Sequence, residues 1–178
     1  MPIFLLDADA FICMRTLSLL DTVSRCDPAM DLRMTGFIAR HELSNLSALI
    51  AELLARHRLK IEDVESKTEA GRRYRELNKA GVHKGEAEAI AWALGRTTAE
   101  RPIFVSLDVA ARQKASSLKL TAFDVMDFVV YLIDAAIISR EDARVKLAVW
   151  LDPQQERGRP RDFTNFDETF ERRKKNQP

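Results

Sequence analysis

The sequence has few cysteines and no excess of charge of either sign. Its 178 residues include two cysteines, Cys13 and Cys26, and 28 Lys and Arg against 27 Asp and Glu. Both cysteines lie in or beside an apolar helical pattern, which favours two small buried thiols in a reducing cytosol over a disulfide between them. Because the formal net charge is only +1, binding of nucleic acid would require a local basic patch.

Long hydrophobic runs are also missing. No stretch approaches the roughly 20 apolar residues that a membrane span needs. The amino terminus enters a strand within two residues and shows no basic-then-apolar leader. With 46% hydrophobic residues, the chain is long enough for one well-buried core. We therefore expect a cytoplasmic protein that has no association with a membrane.

Strand patterns alternate with helix patterns along the chain. Four apolar residues, Ile3 to Leu6, and a second run from Pro102 to Leu107 are typical of strands buried on both faces. Shorter strands are predicted at 32–35 and 119–123, and residues 59–64 could form a strand or a loop. Helices are predicted at 10–23, 38–57, 66–79, 84–94, 109–117, 124–135 and 139–151, with a break at Asp27-Pro28. This alternation indicates a parallel α/β sheet.

The composition changes after Leu151, so we divide the chain into a domain at 1–151 and a C-terminal extension at 152–178. The extension begins with a linker-like segment, Pro153 to Pro160. Three phenylalanines then follow at i, i+3 and i+7 before a basic end, and these are Phe163, Phe166 and Phe170. Such a segment could pack back on its own domain or dock onto another subunit.

Acidic residues follow both of the strongly apolar strands. Asp7 and Asp108 stand directly after them, and neighbouring parallel strands lie ~4.8 Å apart, so both carboxylates could reach one small volume. Glu42 and Glu86 lie in helices. Several carboxylates cannot share one volume unpaired, because like charges raise one another's pKa values. Oxygen ligands without a cysteine or histidine cluster suit Mg²⁺ or Mn²⁺, which can activate water against a phosphodiester.

Most of these acids also have a structural interpretation. Asp108 could cap the following helix, and Asp9 is predicted to cap the first helix, which leaves Asp7 without a structural role. Glu42 could be a solvated surface residue.

Two glutamates compete for one role at the start of the helix at 84–94. Glu86 lies in the first turn, where the helix dipole favours an acid. Glu86 and Glu88 are about 200° apart around the helix axis, so only one of them can point into a shared site.

Four segments together resemble the PIN-domain family. They are 3–12 (IFLLDADAFI), 35–43 (TGFIARHEL), 85–93 (GEAEAIAWA) and 103–108 (IFVSLD). The resemblance spans about residues 2–150 and is most specific in the third segment, which is similar to a subgroup with Glu at the head of that helix. It implies a three-layer α/β/α sandwich with a central, mostly parallel sheet. It also implies a Mg²⁺- or Mn²⁺-dependent ribonuclease.

The resemblance further implies roles for residues and partners. The acidic quartet would be Asp7, Glu42, Glu86 and Asp108, with Glu88 as an alternative metal ligand to Glu86. Relatives commonly form homodimers, and many small ones are toxins that a cognate antitoxin silences.

Residues near the acids could contact an RNA substrate, because a phosphate backbone approaching carboxylates needs cations nearby. The cationic candidates are Arg40, Lys84 and Arg112. Asp9 is a further candidate beside the substrate, because it stands where the family often has Ser, Thr or Asn beside the metal, and it could add a ligand or only a cap. A different hypothesis keeps the fold but not the chemistry: the protein could hold RNA or a protein partner without cutting it.

Overall fold

A computed structural model describes residues 2–26, 30–152, 154–155 and 157–176. The predicted break at Asp27-Pro28 and the first linker residue, Pro153, lie outside these residues. The described chain is an α/β protein with a five-stranded, all-parallel central sheet flanked by helices, in agreement with the three-layer sandwich expected above. The strands are β1 (Ile3–Leu6), β2 (Asp31–Thr35), β3 (Lys60–Glu62), β4 (Ile103–Val105) and β5 (Ala122–Phe123).

The sheet has the strand order β3-β2-β1-β4-β5. β1 is the central strand, and its residues Phe4, Leu5 and Leu6 are fully buried. That burial on both faces explains why this strand is a continuous apolar run. The chain passes from β1 outward through β2 and β3 on one side, and through β4 and β5 on the other. The carboxyl ends of β1, β2 and β4 therefore meet at a topological switch point, where open α/β sheets form their sites.

The first predicted helix, 10–23, is wrong as a single element. The structure has α1 (Ala8–Thr16) and α2 (Leu19–Val23), separated by a turn. At this turn Ser18 has φ 53°, a left-handed conformation that interrupts the helical hydrogen bonding. No glycine or proline marks the break, so the apolar periodicity ran across it.

The predicted helix 38–57 is also wrong at its beginning. The chain forms a π-helical turn (Ile38–Glu42), a 3₁₀ turn (Ser44–Leu46) and only then α3 (Ser47–Ala55). π turns are rare and occur mostly at functional sites. Glu42 is the last residue of the π-helical turn, in the segment that follows the carboxyl end of β2. Beyond α3, the segment left open as a strand or a loop contains the edge strand β3.

The second half of the chain agrees with the predicted pattern within a few residues. The helices are α4 (Glu69–Lys79), α5 (Lys84–Leu94), α6 (Val109–Ser117), α7 (Val125–Asp134) and α8 (Arg140–Leu147), followed by a 3₁₀ turn (Ala148–Leu151). Gly81 follows α4 with φ +85°, the left-handed conformation expected after a helix end. None of the helices in the described ranges combines the length and apolarity needed to cross a bilayer.

The C-terminal extension packs back on the rest of the chain, which is the first of the two alternatives above. Its helix α9 (Phe166–Asn176) lies against α7 and α8. Phe166 and Phe170 are buried, and the ring of Phe163 contacts Trp150 edge-on with 5.2 Å between ring centroids.

Both cysteines are free thiols. Cys13 is buried in α1, and Cys26 is half-buried after α2.

Candidate functional site

Asp7 is held rigidly at the junction of β1 and α1. Its backbone N–H donates to the carbonyl of Val105 at 2.9 Å, which continues the sheet by one residue. One side-chain oxygen accepts from the Ala8 N–H at 2.7 Å and the other accepts from the Ser106 hydroxyl at 2.8 Å. The side chain is only 6% exposed, and burial raises its pKa to about 6, despite the two hydrogen bonds that oppose this rise. The prediction that Asp9 caps α1 is therefore wrong, since Asp7 is the N-cap residue.

Ser106 forms hydrogen bonds with two of the predicted acids, and the sequence alone did not indicate this role. Besides donating to Asp7, its hydroxyl oxygen accepts from the Asp108 backbone N–H at 3.1 Å. The register that pairs Leu6 with Val105, continued by one residue, places Ser106 beside Asp7. Pairing of the two apolar strands could have revealed it, because the first polar residue after each strand then falls at the same height.

Asp108 has the capping role that the sequence left open. Its carboxylate accepts from the Ala111 N–H at 2.8 Å, at the start of α6, and the residue is exposed. A capping carboxylate keeps free lone pairs. One turn further, Arg112 donates to the Ser106 carbonyl at 2.6 Å.

Thr35 ends β2 on the other side of Asp7. The β1–β2 register pairs Leu5 with Arg33, and two more residues bring Thr35 beside Asp7. Thr35 is completely buried, and its hydroxyl has no hydrogen-bond partner among the residues that the structure describes. Buried polar groups are nearly always paired, so an unpaired hydroxyl at this edge requires an explanation.

Glu42 reaches the amino-terminal end of α5. Burial raises its pKa above the ordinary value, the backbone N–H of Gly85 opposes the rise, and the charges of Asp9 and Glu88 add to it. The carboxylate lies so close to Gly85 that a Cβ at that position would overlap Glu42 Oε1. A glycine is thus required here for close approach, not for an unusual φ.

Glu86 and Glu88 have different environments, as their separation around α5 predicts. Glu88 accepts from the Phe37 backbone N–H at 2.8 Å. Glu86, within the described residues, accepts no hydrogen bond. Burial, together with the charges of Asp7 and Asp108, raises the pKa of Glu86 to about 7. The charges of the other three members of the predicted quartet therefore all act on Glu86.

The predicted cationic residues lie around these acids with different partners. Arg40 forms an exposed ion pair with Asp63. Lys84 lies 6.0 Å from the centre of the Phe37 ring, and that ring also packs against His41 with 4.7 Å between centroids. Asp9 does not cap a helix but accepts from Arg157 of the C-terminal extension at 2.9 Å.

The described residues contain no group of three or more His, Cys, Asp or Glu side chains arranged to hold a metal ion. The donors that meet at this edge are nevertheless of one chemical kind. Carboxylate oxygens of Asp7 and Glu86, with the unpartnered Thr35 hydroxyl beside them, are hard ligands of the type that Mg²⁺ and Mn²⁺ prefer. Burial raises the pKa of both acids, and the charges of neighbouring acids add to the rise. The residues therefore fit such an ion chemically, and they do not form a closed coordination shell.

No family model matches the chain. A search of curated proteins also finds no match.

Proposed function

We propose that this protein is a PIN-like, Mg²⁺- or Mn²⁺-dependent endoribonuclease. The observation that carries the proposal is the environment of Glu86. Its carboxylate accepts no hydrogen bond within the described chain, and burial, together with the nearby charges of Asp7 and Asp108, raises its pKa to about 7. Bringing like charges together costs folding free energy, and a divalent cation is the usual compensation. The resemblance of four sequence segments to the PIN-domain family supports the same conclusion independently.

The acidic residues and Ser106 would have different roles in holding the cation. Asp7, Glu86 and Asp108 would face the cation, and Glu42 would approach it from the amino-terminal end of α5. Ser106 holds the Asp7 carboxylate in one orientation through the 2.8 Å hydrogen bond. When bound, the cation would supply Lewis-acid activation of water and neutralisation of charge on the phosphodiester.

Glu88 is better suited to a positioning role than to metal binding. Its carboxylate is engaged by the Phe37 backbone N–H at the start of the π-helical turn. Through that bond it ties α5 to the segment that carries Glu42. This arrangement favours Glu86 over Glu88 as the metal ligand.

Single-stranded RNA is the substrate that we favour. Phe37 and His41 form a ring pair beside Glu42, and aromatic side chains bind unpaired bases by stacking. Arg40, Lys84 and Arg112 could contact the backbone around the acids.

The cellular setting that we propose follows from the resemblance alone. It comprises a cytoplasmic toxin that forms a homodimer and is silenced by an antitoxin protein. An adjacent reading frame that encodes a small DNA-binding protein would support this setting, and light scattering on the purified protein would test the dimer.

The second candidate function is a PIN-like module that binds RNA or a protein without cutting. The capping role of Asp108 favours it, because the acid then has a structural reason to be present. It does not account for the unpartnered Glu86 carboxylate.

The deciding experiment measures cleavage of a labelled single-stranded RNA with Mn²⁺. We expect Asp7→Asn and Glu86→Gln to lose activity by at least about 100-fold, a loss of the size typical for groups that stabilise a transition state electrostatically. Glu88→Gln, in the same helix, serves as the matched control and should retain most of the activity, because glutamine keeps an oxygen that can accept from the Phe37 N–H. Equal cleavage by the wild type and Asp7→Asn would refute the proposal and favour the binding module.

A further inference from the structure

A cleft of about 760 Å³ opens beside the acids. One wall is the start of α6, with Asp108 and Arg112, and the other is the segment 157–162, which we call the C-terminal loop. Asp9 and Asp108 line this cleft, whereas Asp7, Glu42 and Glu86 do not. We call Asp7, Glu42, Glu86 and Asp108 the acidic cluster, and the cleft meets this cluster only at Asp108.

The backbone of the C-terminal loop is fixed against the domain. The Arg157 carbonyl accepts from Trp150 Nε1 at 3.3 Å and from Cys13 Sγ at 3.9 Å. Arg159 donates to the Trp150 carbonyl at 3.1 Å. Gly158 has φ +79°, and a Cβ there would overlap Cys13 Sγ, so only glycine fits this close contact. The loop is thus a built wall of the cleft.

The arginines that line the cleft differ in whether acidic residues of the protein already pair with them. Arg173 also lines the cleft, but Asp124, Asp127 and Asp162 neutralise it at 2.7 to 3.0 Å. Arg161, in contrast, is exposed and has no hydrogen bond or ion pair with the described residues.

Among the described residues, Arg157 forms an ion pair with Asp9 alone, and both side chains are more than half exposed. Exposed ion pairs contribute little stability, so this pair can exchange for another anion at small cost.

We infer that the C-terminal loop forms one wall of the substrate path and that Arg157 and Arg161 bind phosphates of a single-stranded RNA beside the acidic cluster. The inference rests on the proposed function. Because the whole chain carries a net charge of only +1, it supplies no general attraction for a polyanion, and the acids repel phosphate. Local cations along the path must therefore provide the binding.

The test measures binding of a fluorescein-labelled, single-stranded RNA of about 12 nucleotides by anisotropy between about 50 and 200 mM KCl. All proteins carry Asp7→Asn so that the RNA stays intact. Each lost phosphate contact reduces the slope of log K against log salt by about 0.7 for single strands. We expect this reduction for Arg161→Ala and for Arg157→Ala. The affinity ratio between parent and variant should then shrink about 2.6-fold across that salt range.

Two control variants separate charge from other effects. Arg25→Ala removes another exposed arginine that has no side-chain partner in the described structure and should leave the slope unchanged. Arg161→Lys keeps the positive charge and should retain the parent slope.

The outcomes distinguish this inference from the proposed function. Slopes equal to the parent's for both loop variants, or no RNA binding by the parent, would overturn the inference. If the wild type cuts RNA with Mn²⁺ and the slopes do not change, only the inference fails. If neither the wild type nor Asp7→Asn cuts RNA with Mn²⁺ but the slopes change, the proposed function fails and the loop remains an RNA-binding wall.

Discussion

Replacing Asp7 by asparagine should stabilise the metal-free protein at neutral pH. The Asp7 carboxyl is buried, and its pKa lies at about 6 instead of the ordinary 3.8. A raised pKa means that the folded state favours the protonated form. Ionisation therefore costs folding free energy of about 3 kcal/mol once the pH is well above 6. Asparagine has the same shape and carries no charge, so it removes this cost.

The net gain is smaller than the full ionisation cost, because asparagine has one acceptor oxygen where the carboxylate has two. It can keep the bond from Ala8 N–H, but the Ser106 hydroxyl must reorient, which costs about 1 kcal/mol. We therefore expect Asp7→Asn to raise the free energy of unfolding by about 2 kcal/mol at pH 8. For a chain of this size that corresponds to a rise in Tm of about 4 to 8 °C.

The pH dependence identifies the cause. Between pH 3.8 and about 6 the unfolded carboxyl is ionised and the folded one is protonated, so this group makes the wild type less stable as the pH rises through that window. The stabilisation by Asp7→Asn should be fully developed well above pH 6, and below about pH 4 only the cost of about 1 kcal/mol from the Ser106 hydroxyl should remain.

Urea unfolding in EDTA at pH 4 and pH 8 measures both values. Asp21→Asn, on the exposed side of α2, is the control and should change stability by less than about 0.5 kcal/mol at either pH. An Asp7→Asn protein that is no more stable than the wild type at pH 8 would refute the reasoning.

Two further substitutions test how Arg173 holds the C-terminal helix α9 and how Gly85 lets the Glu42 carboxylate approach α5. Arg173→Ala removes the cation that pairs with the buried Asp124 and the neighbouring Asp127. We expect urea unfolding to show that the free energy of unfolding falls by about 2 to 4 kcal/mol. The same substitution at the exposed neighbour Arg172 should lower it by less than about 1 kcal/mol. Equal losses for the two arginines would contradict the burial argument. Gly85→Ala should displace the Glu42 carboxylate and reduce Mn²⁺-dependent cleavage at least about 10-fold. Thermal unfolding should show no loss of stability, because alanine favours the helix. Gly95→Ala at the other end of α5, where the nearest atom would be 3.3 Å away, should leave cleavage unchanged, and an active Gly85→Ala protein would argue against a role for Glu42.

The sequence predicted the parts of the fold that depend on buried apolar runs. β1, β4 and α5 were found because burial on both faces, or an alanine-rich helical pattern, leaves a strong signal in a single segment. The breaks within 10–23 and 38–57 could not be predicted, because a left-handed serine and a π-helical turn leave the apolar spacing nearly unchanged.

The site was harder to predict than the fold because it depends on contacts between distant segments. The role of cap went to Asp9 instead of Asp7, since capping is decided by backbone geometry at the strand end. Ser106 and the unpaired Thr35 hydroxyl become relevant only when the strands are placed in register. The arginines of the C-terminal loop lie about 150 residues from Asp9, and no local pattern brings them together.

A calorimetric titration of the wild type with Mn²⁺ tests the central claim, that the acids form a cation site. Because Asp7 and Glu86 have pKa values of about 6 and about 7, both are partly protonated near pH 6 and must lose protons to bind a cation. We predict saturable Mn²⁺ binding that releases protons at pH 6, releases fewer at pH 8, and is abolished in Asp7→Asn. The absence of binding, or binding that Asp7→Asn retains unchanged, would contradict the account.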